Sequence, residues 1–133
     1  MADNIFWMFI SALLTFILEL FFFKKEFKSI VNNKYLTKIV FLINFITNLL
    51  FNTLRSILIP DTEIGYILLF VISEIIVVVV EYFMYKYAFK NLIEEGKINK
   101  KELFKVTLLA NLFSAVIGTF FLWLIYKLVI NYL

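Results

Sequence analysis

Four apolar runs, at about residues 4–23, 37–59, 66–89 and 103–131, constrain the fold more than any other feature of this chain. Each has the roughly 20 residues that a helix needs to cross a hydrocarbon core about 30 Å thick. Lipid offers no partner to an unpaired backbone group, so a spanning segment must satisfy its own hydrogen bonds. The runs lack the apolar–polar alternation of barrel strands, which leaves helices. The expected fold class is therefore all-α, a polytopic membrane protein with four transmembrane helices in an up-down antiparallel bundle, forming one domain over residues 1–133. A content of 63% hydrophobic residues agrees, since soluble domains carry about 45–50%.

The first run is expected to be a retained span and not a signal peptide. Asp3 stands where such a peptide has basic residues, and Lys24 and Lys25 follow where a small-residue cleavage site would lie. Lysines then set the orientation. Lys24, Lys25, Lys28, Lys34 and Lys38 surround the first connection, and Lys86, Lys90, Lys97, Lys100, Lys101 and Lys105 the third, whereas the turn Pro60–Gly65 has acids and no base. Basic residues near span ends stay on the cytoplasmic side. The expected topology in the cell membrane is thus multi-pass, with lysine-rich loops cytoplasmic and both termini outside.

The two loops hold nearly all the basic residues, where orientation and anionic headgroups account for them. The expected partner is the lipid bilayer, and no nucleic acid. Pro60 is placed to stop the second helix, Asp61 or Thr62 to cap the third, Gly96 to follow the end of an extended third helix, and Asn99 with Glu102 to form a capping box. No linker, low-complexity stretch or clear internal repeat divides the chain.

The absence of Cys and His removes thiol nucleophiles, disulfides, histidine metal sites and imidazole acid–base chemistry. The only aspartates, Asp3 and Asp61, are expected at the outer surface, and Ser114 has no base near it on its helix. No enzyme activity, catalytic residue, cofactor or metal site is expected.

What remains is a set of polar residues inside apolar helices. Asn44, Asn48, Asn52 and Arg55 recur at helical spacing along one stripe of the second span; Glu74 and Glu81 share a face of the third; Thr107, Asn111, Ser114 and Gly118 share a side of the fourth. Ala110, Ser114 and Gly118 make a small-residue ladder that predicts helix packing, with Gly118 at a contact. At a rise of about 1.5 Å per residue, Glu19 and Glu81 lie about 22 Å from the outer boundary, Asn44 about 19 Å and Asn111 about 18 Å, in one layer. By the same measure Arg55 (about 7 Å) and Glu74 (about 12 Å) are close enough to pair, and the short turn makes their helices neighbours.

A carboxyl in hydrocarbon is costly and usually marks a functional site. With Arg55 committed to Glu74, Glu81 and Glu19 have no base at their own depth, although Glu19 can alternatively snorkel to the nearby interface. Glu81, Glu19, Asn44 and Asn111 are therefore the expected ligand-, proton- or cation-binding residues. The expected function is a proton- or cation-coupled transporter or channel-like protein, working as an oligomer because four helices can hardly enclose a path alone. The alternative is an assembly subunit packed against copies of itself or a larger membrane protein. Single cysteines at Lys28, Thr62 and Lys97 test the orientation: only the one at Thr62 should react with a membrane-impermeant thiol reagent in intact cells, and labelling at Lys97 would reverse the topology.

Overall fold

The computed structural model describes residues 2–132, with side chains from Ile5 to Asn131. Asp3, expected at the outer surface, lies outside the described side chains. The chain is all-α, with long helices α1 (Ala2–Phe27), α2 (Asn33–Ile57), α3 (Glu63–Ala88) and α5 (Lys100–Tyr132), and a short α4 (Lys90–Glu94); among the described residues there is no strand. The four long helices are long and apolar enough to cross a membrane.

Local chemistry sets the helix ends. The Asn32 side chain caps α2 by accepting from the backbone N–H groups of Lys34 (2.9 Å) and Tyr35 (3.5 Å), which relieves two of the donors a helix start leaves unpaired. Asn99 caps α5 in the same way, accepting from Lys101 N–H at 2.9 Å. The expected capping box is only half formed, because no described hydrogen bond returns from Glu102 to Asn99. Of the two residues expected to cap α3, Thr62 does so, accepting from Gly65 N–H at 3.0 Å. Pro60 follows two residues after Leu58, the C-cap of α2.

The expected extension of the third helix is interrupted at Phe89, between α3 and α4. Phe89 turns its ring into the core, packed against Tyr85 and Phe27, and the Tyr35 hydroxyl donates to the Ala88 carbonyl at 3.1 Å. Gly96 still ends the element, with φ of 72°. Its N–H reaches the Ile93 carbonyl and the Lys97 N–H the Leu92 carbonyl, at 3.1 and 2.9 Å, the paired bonds of a Schellman stop.

Each long helix packs against two others, in the cyclic order α1, α2, α3, α5. Along α2, Tyr35, Thr47 and Arg55 meet Ala88, Glu81 and Glu74 of α3 in turn, so these two helices run in opposite directions. The core sits at the lysine-loop end and contains Phe23, Phe27, Leu36, Tyr85, Phe89 and Leu103. Phe23 stacks on Tyr85 with ring centroids 4.1 Å apart, closing that end. Toward the Pro60 end the helices keep few buried residues, and their large apolar side chains face outward.

Gly96→Ala forces a Cβ into the left-handed region and is expected to cost about 1–2 kcal/mol. Gly96→Asn, which tolerates that region, should lose less in thermal unfolding of the detergent-solubilised protein. Equal losses would mean that the turn's conformation does not set the cost.

Candidate functional site

Glu19 and Glu81 are fully buried at 0% and 1% exposure, and the structure brings them together from α1 and α3. Asn44 Nδ2 on α2 donates to Glu19 Oε2 at 2.7 Å and to its own Val40 carbonyl at 3.1 Å. Asn111 Nδ2 on α5 donates to Glu81 Oε2 at 2.7 Å and to its own Thr107 carbonyl at 3.0 Å. Both amide protons of each Asn are used, so each amide is locked to its helix while it holds a carboxyl from the next. Thr47 Oγ1 lies 2.6 Å from Glu81 Oε1. The two carboxyls are close enough to interact electrostatically. Glu19 does not snorkel, because the Asn44 bond and the packing of Phe23 below it hold it inside.

The arrangement follows from a repeat that the chain was not expected to contain. Aligning Glu19 with Glu81 pairs Phe21 with Phe83, Lys24 with Lys86, Phe27 with Phe89 and Lys28 with Lys90. Past the loop, which is longer in the second half by the segment bearing α4, Asn32 pairs with Asn99, Lys34 with Lys101, Leu36 with Leu103, Lys38 with Lys105 and Asn44 with Asn111. The matched positions behave alike. Phe27 and Phe89 are both buried, as are Leu36 and Leu103, and Asn32 and Asn99 make the same cap to the second residue of their helices. The α1–α2 and α3–α5 hairpins are therefore two copies of one unit, and each supplies one Glu, one Asn and one hydroxyl. Each Glu takes its Asn from its own hairpin, and Glu81 takes its hydroxyl, that of Thr47, from the other one.

Sequence reasoning selected the two carboxyls and their asparagines but missed Thr47. The repeat carries the signal, since Thr47 aligns with Ser114, one turn past the paired asparagines. Ala110 and Ser114 are buried, at 0% and 5% exposure, and Ser114 lines a cavity. Gly118 differs from its expected contact role: a Cβ built there meets no atom within 4 Å, because the residue lines a cavity.

That cavity, about 150 Å³, is lined from all four long helices, with Glu19, Glu81, Thr47, Asn111 and Ser114 at one end and Arg55 and Glu74 toward the other. Such a volume between polar walls has room for several water molecules. Arg55 Nη2 donates to Glu74 Oε1 at 2.6 Å, its Nε donates to Ser73 Oγ at 2.9 Å, and the guanidinium lies over the Phe70 ring. Both partners are about a quarter exposed. The ion pair is one-sided, for the equivalent positions in the other hairpin are Leu122 and Ala12.

Compared with known protein families, with curated protein sequences and with solved structures, the chain matches none.

Arg55→Met and Glu74→Gln should each destabilise by about 1.5–3 kcal/mol, the usual worth of a hydrogen bond to a charged group, and the double variant should recover much of the loss. Simple addition of the two losses would show that the pair contributes no coupling. Gly118→Ala, by contrast, should leave thermal stability within about 0.5 kcal/mol, like a substitution away from packed features.

Proposed function

We propose that this chain is a multi-pass protein of the cell membrane, an up-down bundle with both termini outside, that passes a proton or small cation by way of the Glu19–Glu81 pair. One observation carries the reading. Two fully buried carboxyls line one end of a cavity and, among the described residues, have no basic partner, while the cation that lines it, Arg55, is committed to Glu74. In hydrocarbon two such groups cannot both keep a bare negative charge cheaply. Something positive must join them, and a packing role alone does not require acids: amides or apolar residues would join four helices at lower cost.

On this reading the lysine loops face the cytoplasm, which turns the packed end inward and the cavity outward. The Phe23–Tyr85 stack lies beneath the carboxyls. Passage across the whole bilayer therefore needs either rearrangement of that aromatic layer or a path shared with a second copy or a larger partner. Oligomerisation belongs to the proposal for that reason.

The test is ion flux in liposomes containing the purified protein, followed by pH- and sodium-sensitive dyes under an imposed gradient. Wild type should dissipate the proton or the sodium gradient, and Glu81→Gln should reduce the rate at least about tenfold while eluting at the wild-type volume, since an amide keeps the shape and loses the exchangeable charge. A wild-type protein that conducts neither ion, with a Gln variant of equal or greater stability, would leave assembly as the role of this layer.

A further inference from the structure

The exchanged species can be narrowed by asking which polar atoms the buried layer leaves unsatisfied. Among the described residues three buried side-chain atoms have no hydrogen-bond partner: Glu19 Oε1, Asn44 Oδ1 and the Tyr85 hydroxyl. They belong to one cluster. Asn44 already holds the other oxygen of Glu19, and the Tyr85 ring stacks on Phe23, which lies one turn below Glu19 on α1. All three residues are 2% exposed or less. A buried polar group with no partner is rare enough to need a reason, and three together point to one missing neighbour.

A proton shared between the carboxyls answers for only one of the three. Placed on Glu19 Oε1 and donated to Glu81, it satisfies that atom and leaves the Asn44 oxygen and the Tyr85 hydroxyl as they were. A single cation bound at Glu19 Oε1, between the Asn44 and Tyr85 side chains, would give all three oxygens a partner. The donor set also defines the ion. It is oxygen only, which suits hard cations over transition metals. It offers one uncommitted carboxylate oxygen and two neutral ones, because Glu19 Oε2 and both Glu81 oxygens already accept hydrogen bonds, and among the described residues no third acid joins them. Calcium, with its 6–8 ligands, is poorly served by so few free oxygens.

The repeat sharpens the point. Tyr85 aligns with Phe23, so the added hydroxyl is where the two halves differ. That asymmetry puts the free oxygens on the Glu19 and Asn44 side of the carboxyl pair. We propose that Glu19, Asn44 and Tyr85, with Glu81 beside them, bind one dehydrated alkali-metal cation of the sodium class. This rests on the reading of the Glu19–Glu81 pair as an exchange site.

The experiment is thermal unfolding of the protein in lipid nanodiscs, titrated with sodium chloride against choline chloride at fixed ionic strength and pH. Wild type should show a saturable rise in midpoint with sodium alone. Tyr85→Phe keeps the ring that stacks on Phe23 and removes only the hydroxyl, and should weaken the apparent affinity for sodium about tenfold, the equivalent of about 1.4 kcal/mol. Glu19→Gln should abolish the saturable response. Identical sodium and choline curves would overturn the proposal, and so would a sodium response that Tyr85→Phe leaves unchanged, or an equal response to calcium chloride at the same concentration. If the curves coincide but proton flux still depends on Glu81, the proton is the species exchanged and the exchange site survives without its cation. Loss of both effects removes the exchange reading as well.

Discussion

The hydrogen bond from an asparagine to a glutamate on the neighbouring helix, made twice, is the constraint on which the rest of the structure depends. Each of Asn44 and Asn111 spends one amide proton on a carbonyl four residues back in its own helix and the other on a carboxyl, so the amide cannot swing away. The carboxyls are thereby fixed in depth. Because the hydroxyl of Thr47 reaches the Glu of the opposite hairpin, the layer also ties the hairpins together. The aromatic stack below and the cavity beside it are where they are because this layer sets the register of all four long helices.

The internal repeat explains why such a layer closes on itself. A single hairpin presents one acid and one amide, which leaves half of its polar groups without partners in an apolar medium. With two copies facing each other, one hairpin adds a donor to the acid of the other, as Thr47 does for Glu81. Departures from the repeat then become informative, because packing between copies does not demand them. Tyr85 against Phe23 and the Arg55–Glu74 pair against Leu122 and Ala12 are such departures, and both contribute to the polar interior.

Much of this was legible in the sequence. The number of long helices, the caps at Thr62 and Asn99, the Gly96 stop, the Arg55–Glu74 pair and the shared layer of Glu19, Glu81, Asn44 and Asn111 all follow from spacing, depth and backbone chemistry. The misses have physical causes. Counting at four-residue intervals from Asn44 selected Asn48 and Asn52 and passed over Thr47, although a helix brings positions three apart onto one face as readily as positions four apart. The helix break at Phe89 depends on a ring finding a tertiary pocket, which local propensity does not register. Gly118 was assigned to contact because glycine often permits close approach, whereas here the residue borders open space. The repeat was hidden by unequal loops: the insertion carrying α4 shifts the second half, so no single period aligns both helices of the hairpin.

Under the proposed function, the position of the carboxyls has a mechanical consequence. Each sits on one hairpin and is held partly by the other, so whatever neutralises the pair also alters the bonds across the interface between the two copies. With a cation or proton present, Glu19 and Glu81 can approach and the interface tightens. Without one, their repulsion acts directly on the Thr47–Glu81 contact and on the Phe23–Tyr85 stack one turn below. On that proposal, a repeated pair of hairpins with its charge at the shared interface would couple occupancy to the angle between them, as one repeat rocks against another in repeat-built transporters. The aromatic layer belongs to the packed core beneath the site, which such a change would have to part.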